Sequence, residues 1–436
     1  MFVPDGNTYD FGGYRLEPAR GLFRDGRFVY LPPKEYAVLC SLAARIGGVV
    51  GKEQLVAEVW PRENVSDESL ARCIYALRRA LDNGDANSHI QTVRGRGYRI
   101  ATDVKRSGPA PIEPSTASSD DQRAAEDLCR LGFGRLAFAS RGDTDQAIRC
   151  FEKALTHDAN CAAAYAGLGE ATILQAGLGW MNTSYAREML RGMADMAQSY
   201  SPDSADVYAL SAMICVMFEW DWSRAVADAA TSARLGGGYK TSLAAGSIDL
   251  CQGRTAEALV HFEAAVAAAP FVPHCRNMLN WGIFATGDFE RAYRCAKESV
   301  ETMPSVTTVY RDLAVMASCV EQHADAVAAA LRCVQLADDD PHAIGSLVTA
   351  LYRAGREDEA CDAYARVLRH AGDQRIAWAY IAPETLLVEG RERCLDVLET
   401  ALADRCCMLS IKLTDPRLDE LRDEPSFQRI AATVLG

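Results

Sequence analysis

The sequence predicts a mostly α-helical chain in two parts: a small N-terminal α/β domain of short sheets and three helices, joined to a long solenoid of paired helices. Three observations carry this. Short β-type runs around turn signals open the chain and then give way to helical spacing. Small-residue anchors recur every 33 or 34 residues through the second half. The net charge also changes sign between the two parts.

The chain has 436 residues, 49% apolar and 24% charged, the balance of a globular protein with ample core. No run approaches the roughly 18 apolar residues of a spanning helix, and MFVPDGNTYD lacks the basic-then-apolar pattern of a signal peptide. The expectation is a cytoplasmic protein without membrane contact. Fifteen cysteines are spread between Cys40 and Cys407 with no CxxC, so reduced thiols are expected, and no converging ligand set predicts a metal.

Net charge is −13, which taken whole argues against a polyanionic partner. The average conceals a division. Residues 1–106 hold 16 Lys and Arg against 13 Asp and Glu, a balance of +3, whereas the rest holds 30 against 46, a balance of −16. Between them KRSGPAPIEPSTASSDD, from Lys105 to Asp121, has the composition of a solvated linker with a reach of about 20 to 25 Å. Domains are therefore predicted at 1–104 and 124–436, with a linker over 105–123.

In the first domain YDF, YRLE, GLFR and RFVYL read as strands, the last two meeting at Asp25-Gly26, a hairpin signal. After Pro32 and Pro33, Tyr36, Leu39, Leu42, Ala43 and Ile46 share one helical face, ended by Gly47 and Gly48. A second helix runs from about Lys52 to Trp60, with Leu55, Val56 and Val59 inward. In the third, Leu70, Ile74, Leu77 and Leu81 form one narrow core stripe, Ser66 or Asp67 is placed to cap it, and Arg72 and Arg79, flanked by Tyr75 and Ala76, lie opposite. A solvated face would show the same arginines. The next segment separates the readings: HIQTVRGRGYRI is a short hairpin crowding Arg94, Arg96 and Arg99 together, where guanidiniums repel unless an anion neutralises them.

Three helices and a basic hairpin make a winged helix-turn-helix, whose third helix enters the major groove of DNA while the wing touches the backbone and minor groove. LPPKEYAVLCSLAARIGGVVGKEQLVAEVW, SDESLARCIYALRRAL and QTVRGRGYRI resemble the landmark segments of the OmpR/PhoB-type DNA-binding domain, over about residues 8–102. The resemblance implies that Arg72, Tyr75, Ala76 and Arg79 face DNA from the helix, and Arg94 and Arg96 from the wing; Arg99, crowded onto the same hairpin, is a further DNA-binding candidate. It implies a structural role for Arg78, paired with Glu35. It also places Glu63 and Asp67 in the loop that touches RNA polymerase in some members, a position equally suited to a solvated loop. About seven residues precede the first strand, so a phosphorylated receiver domain is not expected.

The second part repeats. Ala225, Ala258, Ala292, Ala326, Ala360 and Cys394 mark successive units, with Phe262, Ala296, Ala330, Tyr364 and Leu398 among the residues four further on. Period, small anchors and closing prolines such as Pro270 and Pro304 resemble the tetratricopeptide repeat. Ala147, Phe151 and Ala154 read as an earlier unit, YAGLG from Tyr165 as the opening of the next, Gly177 to Tyr200 as an insertion, and the stretch from Lys412 as a polar capping helix. The family resemblance implies an unidentified protein or peptide in the groove.

GGVVGKE imitates a phosphate loop but is one residue short and has Glu where Mg²⁺ needs a hydroxyl; there is no HExxH or GxSxG, and no catalytic residue or cofactor is expected. The two parts together resemble the HilA-like activators of bacterial invasion and secretion genes. The expected function is a sequence-specific double-stranded DNA-binding transcriptional regulator, an activator by that resemblance, which also implies pairing as a dimer on direct repeats. The alternative is a repeat scaffold whose winged helix has lost DNA. A third reading, an antibiotic-pathway regulator with a helical-repeat activation domain, fits the unbroken register less well.

Overall fold

Alternation in the first strands decides the N-terminal sheet: Tyr9, Phe11, Tyr14, Leu16 and Leu22 are buried, and the strands that present them pair in order. The structure is a computed structural model, and it describes residues 7–18, 21–24, 27–29, 31, 33–59, 67–82, 89–107, 117–181, 183–337, 340–372 and 377–436. It divides into two compact units, residues 1–127 with 152–161, and residues 128–151 with 162–436.

In the first unit β1 (Thr8–Phe11), β2 (Tyr14–Glu17), β3 (Gly21–Arg24) and β4 (Arg27–Val29) form an antiparallel meander. Arg24 stands opposite Arg27, the register an Asp25-Gly26 turn requires, although those two residues lie outside the described ones. Helices α1 (Pro33–Ala43), α2 (Lys52–Val59) and α3 (Asp67–Asp82) follow. Then come β5 (Ile90–Val93) and β6 (Gly97–Ile100), a separate two-stranded sheet. Leu39, Leu42, Leu55, Leu70, Ile74 and Leu77 share the core with the sheet's aromatics. Ser66, expected as a cap for α3, lies outside the described residues.

Two expectations are corrected. Ile46 does not extend the buried face of α1; the helix ends at Ala43, and Ile46 is 46% exposed in the turn before Gly47, whose φ is +68°. Nor is all of 105–123 a linker. Lys105–Ser107 is β7, which pairs antiparallel with the outer edge of β1, and α4 (Ser119–Leu136) begins inside the same segment. An unpaired strand edge offers ladder hydrogen bonds to any chain nearby, which a composition argument does not weigh. Residues 108–116 lie outside the described ones.

After α4 the helices run α5 (Arg141–His157), α6 (Ala162–Gly177), α7 (Thr183–Tyr200), α8 (Ala205–Ile214), α9 (Trp222–Arg234), α10 (Tyr239–Cys251) and α11 (Thr255–Ala268). They continue α12 (Pro273–Ala285), α13 (Phe289–Thr302), α14 (Thr307–Cys319), α15 (His323–Leu336), α16 (Pro341–Arg353), α17 (Glu357–Gly372), α18 (Trp378–Val388) and α19 (Arg391–Ala403). The chain closes with α20 (Leu409–Lys412) and α21 (Pro425–Leu435). First helices start at Ala205, Tyr239, Pro273, Thr307 and Pro341, each 34 residues after the last. The anchors Ala225, Ala258, Ala292, Ala326, Ala360 and Cys394 are all fully buried, as are Phe262, Ala296, Ala330 and Leu398. An anchor much larger than alanine or cysteine would separate the helices of its pair, which is why the period is legible in small residues. This is a helix-pair solenoid of tetratricopeptide type.

The segment expected as an insertion belongs to the repeat. Ala186, Leu190, Ala194 and Ala197 form a buried stripe at helical spacing, so α7 is the second helix of a longer pair with α6. The end of the chain is also not a simple polar cap. Cys406, Cys407, Leu409, Ser410 and Lys412 are buried. Ser410 Oγ donates to the Val216 carbonyl (2.9 Å), and Trp222 Nε1 donates to the Val434 carbonyl (2.9 Å). The C-terminal segment is thus fastened to α9 and to the π-helical turn at Cys215–Glu219. It lies against the same inner face that the first helices line, occupying groove that the repeat pattern alone would leave open.

Candidate nucleic-acid interface

Helix α3 is sharply two-faced. Leu70, Cys73, Ile74, Leu77 and Leu81 are no more than 4% exposed, whereas Tyr75 is 69% exposed and Arg72 and Arg79 are exposed beside it. With the half-buried Ala76, residues 72, 75, 76 and 79 fall at i, i+3, i+4 and i+7, one continuous stripe. An aromatic ring open to solvent between two arginines offers planar, cationic and hydrogen-bonding contacts together.

Arg78, one step round the helix, does different work. Its Nε donates to the Ile90 carbonyl (2.9 Å) and its Nη2 to Thr92 Oγ1 (2.8 Å), fixing α3 to β5. The role is structural as expected, but the partner is corrected: those bonds run to the hairpin, not to Glu35. Glu35 lies near Cys73, where burial pushes its carboxyl above the ordinary range.

The β5–β6 turn is held by backbone requirements. Val50 N donates to the Tyr98 carbonyl (2.8 Å) and Tyr98 N to the Val50 carbonyl (2.9 Å), so Val50, two residues before α2, becomes a third rung beside the hairpin. Gly97, at φ +136°, sits so close to this bridge that a Cβ there would stand 1.9 Å from the Val50 oxygen. Arg94 and Arg96 flank Gly95 at the tip, both exposed. Arg99 sits lower on β6 and donates through Nε and Nη2 to Gln91 Oε1 (2.9 and 2.7 Å), its cross-strand neighbour. The tip and the shaft of the wing therefore carry guanidiniums of different freedom. Among the described residues, Arg79, Arg94 and Arg96 form no ion pair. Glu63 lies outside the described residues, as does the side chain of Asp67.

Helices α1 and α2, which both pack against α3, are tied to each other. Ser41 donates to Glu58 Oε2 (2.6 Å), and Arg45 bonds the other oxygen, tying α1 to α2. Burial pushes Glu58 up, but these bonds outweigh it and hold the carboxyl below its ordinary value. The clamp's contribution is therefore complete above the unfolded pKa of about 4.3 and fades as pH falls through the lower folded value. Acid titration of the wild type and Glu58→Gln should show the variant losing this part of the acid dependence.

The family described as "Transcriptional regulatory protein, C terminal" matches residues 26–100, which span all of these elements except β1–β3 and β7. This N-terminal domain is of the OmpR/PhoB DNA-binding type. The transcriptional regulator HilA of Salmonella typhimurium is 40% identical over 115 residues, 26% of this chain and 21% of that one. CutR of Streptomyces coelicolor is 39% identical over 100 residues, 22% of this chain and 45% of that one. The match thus spans about a fifth to under half of these relatives' lengths. The solved DNA-binding domain of Escherichia coli CadC is 28% identical, covering 23% of this chain and 96% of that one with a TM-score of 0.22. A Rap protein structure covers 73% of this chain at 12% identity and a TM-score of 0.46. Among the described residues no helix is long and apolar enough to cross a membrane. The N-terminal domain is of the type found in transcriptional regulators, and a helical-repeat solenoid follows it in the chain.

Proposed function

We propose that this protein is a cytoplasmic, sequence-specific regulator of transcription that reads double-stranded DNA with α3 and the β5–β6 wing, and receives its control through the solenoid. The observation that carries the reading is the stripe of exposed Arg72, Tyr75 and Arg79 with half-buried Ala76, together with a wing tip whose arginines are not spent on carboxylates. Arg72 and Arg79 contact base edges in the major groove; Arg94 and Arg96 contact phosphates. Arg99 supports the wing through Gln91 and reaches the backbone from its side. Activation, contact with RNA polymerase through Glu63 and Asp67, and dimeric binding to direct repeats rest on the resemblance of the sequence to OmpR/PhoB-type and HilA-like regulators. The DNA-reading part accordingly extends past 104 to include β7, through Ser107, and the helices after it begin with α4 at Ser119 rather than at 124.

Selection of bound sites from a random duplex pool tests it. The full chain should enrich one motif, and Arg72→Ala or Arg79→Ala should each cost about 1 to 3 kcal/mol on that motif and relax preference at one position. Equal losses on motif and scrambled duplex would assign those arginines to phosphates. Failure to enrich any motif would favour a scaffold without DNA.

A further inference from the structure

The solenoid's inner face keeps a cavity of about 310 Å³, lined by first helices from α6 to α14, by α18 and by the C-terminal segment from Met408 to Pro416. Its walls are largely apolar and adaptable, with Met213, Met217, Leu243, Met278 and Met408 among them. Flexible thioethers accept bodies of varied shape, and the volume lies at the lower end of what small organic ligands occupy.

One end is cationic. Arg311 and Lys412 both line the cavity, and Lys412 Nζ sits 4.6 Å from the Trp281 ring centroid and 4.7 Å from that of Tyr380. Arg311 is largely buried, yet its Nε has no hydrogen-bond partner and its nearest carboxylate oxygen, on Asp312, is 3.7 Å away. That carboxylate is already satisfied: Asn277 Nδ2 reaches both oxygens at 2.9 Å, and Trp281 Nε1 reaches Oδ1 at 2.9 Å. The remaining charges are committed elsewhere. Lys240 pairs with Glu170 (2.6 Å), and Asp415 accepts from Arg417 (2.7 Å). A buried guanidinium with an unspent donor, lining an apolar cavity, is costly unless a ligand completes it.

We propose that this cavity binds a small amphipathic organic anion, its carboxylate or comparable head on Arg311 and its apolar body among the methionines. This rests on reading the solenoid as the controlled half of the regulator and names the chemistry of the control. A peptide would need length of groove that the chain's own C-terminal segment covers, whereas a compact anion needs only the space left.

Calorimetric titration of the full chain with decanoate, decan-1-ol and decylammonium, each below its aggregation concentration, tests the proposal without DNA. Decanoate should bind saturably and at least about tenfold more tightly than the alcohol, with the cation weakest. Arg311→Gln should bring the acid down to the alcohol, and Arg311→Lys should keep part of the preference. Met213→Trp, which narrows the cavity without touching its charges, should weaken binding of both acid and alcohol at unchanged melting temperature. No saturable decanoate binding, an acid preference that survives Arg311→Gln, or undiminished binding to Met213→Trp overturns it. Mobility shifts on a selected DNA site, run on the same preparations, report the DNA-reading half separately.

Discussion

Arg417→Ala is expected to lower the stability of the solenoid by about 3 to 5 kcal/mol. The guanidinium is 7% exposed and donates through Nη1 to Glu384 Oε1 (3.0 Å), and through Nε and Nη2 to both oxygens of Asp415 (3.1 and 2.7 Å). Those carboxylates are themselves only 6% and 2% exposed. Removing the arginine leaves two buried charges with insufficient compensation, which costs more than the pair contributes in place. The loss should fall on the seating of the C-terminal segment, since Asp415 belongs to it and Glu384 to α18. Burial pushes the Asp415 carboxyl up, but Arg417 and Lys412 outweigh it and hold it below the ordinary range. Its share of stability is thus present at neutral pH and lost on acidification. Thermal melts of wild type and variant at pH 7 measure the difference; coincident melts would mean that the network does not hold the segment.

Gly97→Ala should cost about 3 kcal/mol or more in the DNA-binding domain, by two additive causes. A side chain at φ +136° is strained whatever surrounds it, and this one would also stand 1.9 Å from a backbone oxygen that cannot withdraw without breaking the Val50–Tyr98 bridge. The wing would lose its anchor to the start of α2 before any arginine is touched. Gly95→Ala, where open space surrounds the Cβ, should cost less, because there only the φ of +68° opposes it. Hydrogen exchange at Tyr98 N compares the two; equal protection in wild type and Gly97→Ala would contradict the bridge.

The hydrophobic stripes make the helices readable: Leu70, Ile74, Leu77 and Leu81 in α3, and the alanine anchors of the solenoid, report burial at a fixed period and are buried where that period puts them. Fold features that depend on long-range pairing are less visible. The strand at Lys105–Ser107 is charged and polar, and only its position against β1 makes it a strand. Arg78 is readable as structural, but its partners on β5 are set by how close the hairpin lies to α3, which spacing within one helix cannot state. In α7 the apolar stripe of Ala186, Leu190, Ala194 and Ala197 is present in the sequence, but exposed-type polar residues and methionines surround it and the unit is longer than its neighbours, so it resembles an insertion. Nothing in the local pattern around Arg311 or Lys412 signals a shared cavity; 101 positions separate them, and only the return of the C-terminal segment onto the first helices joins them.

The salt dependence of DNA affinity bears most directly on the central claim. For the wild-type chain on its selected site, log affinity should fall linearly with log salt concentration, and the Arg94→Ala/Arg96→Ala double variant should give a slope shallower by about 1.8, that is about 0.9 for each phosphate left without its guanidinium. A duplex affinity that does not respond to salt, or a double variant whose slope equals that of the wild type, would contradict a wing that meets the DNA backbone.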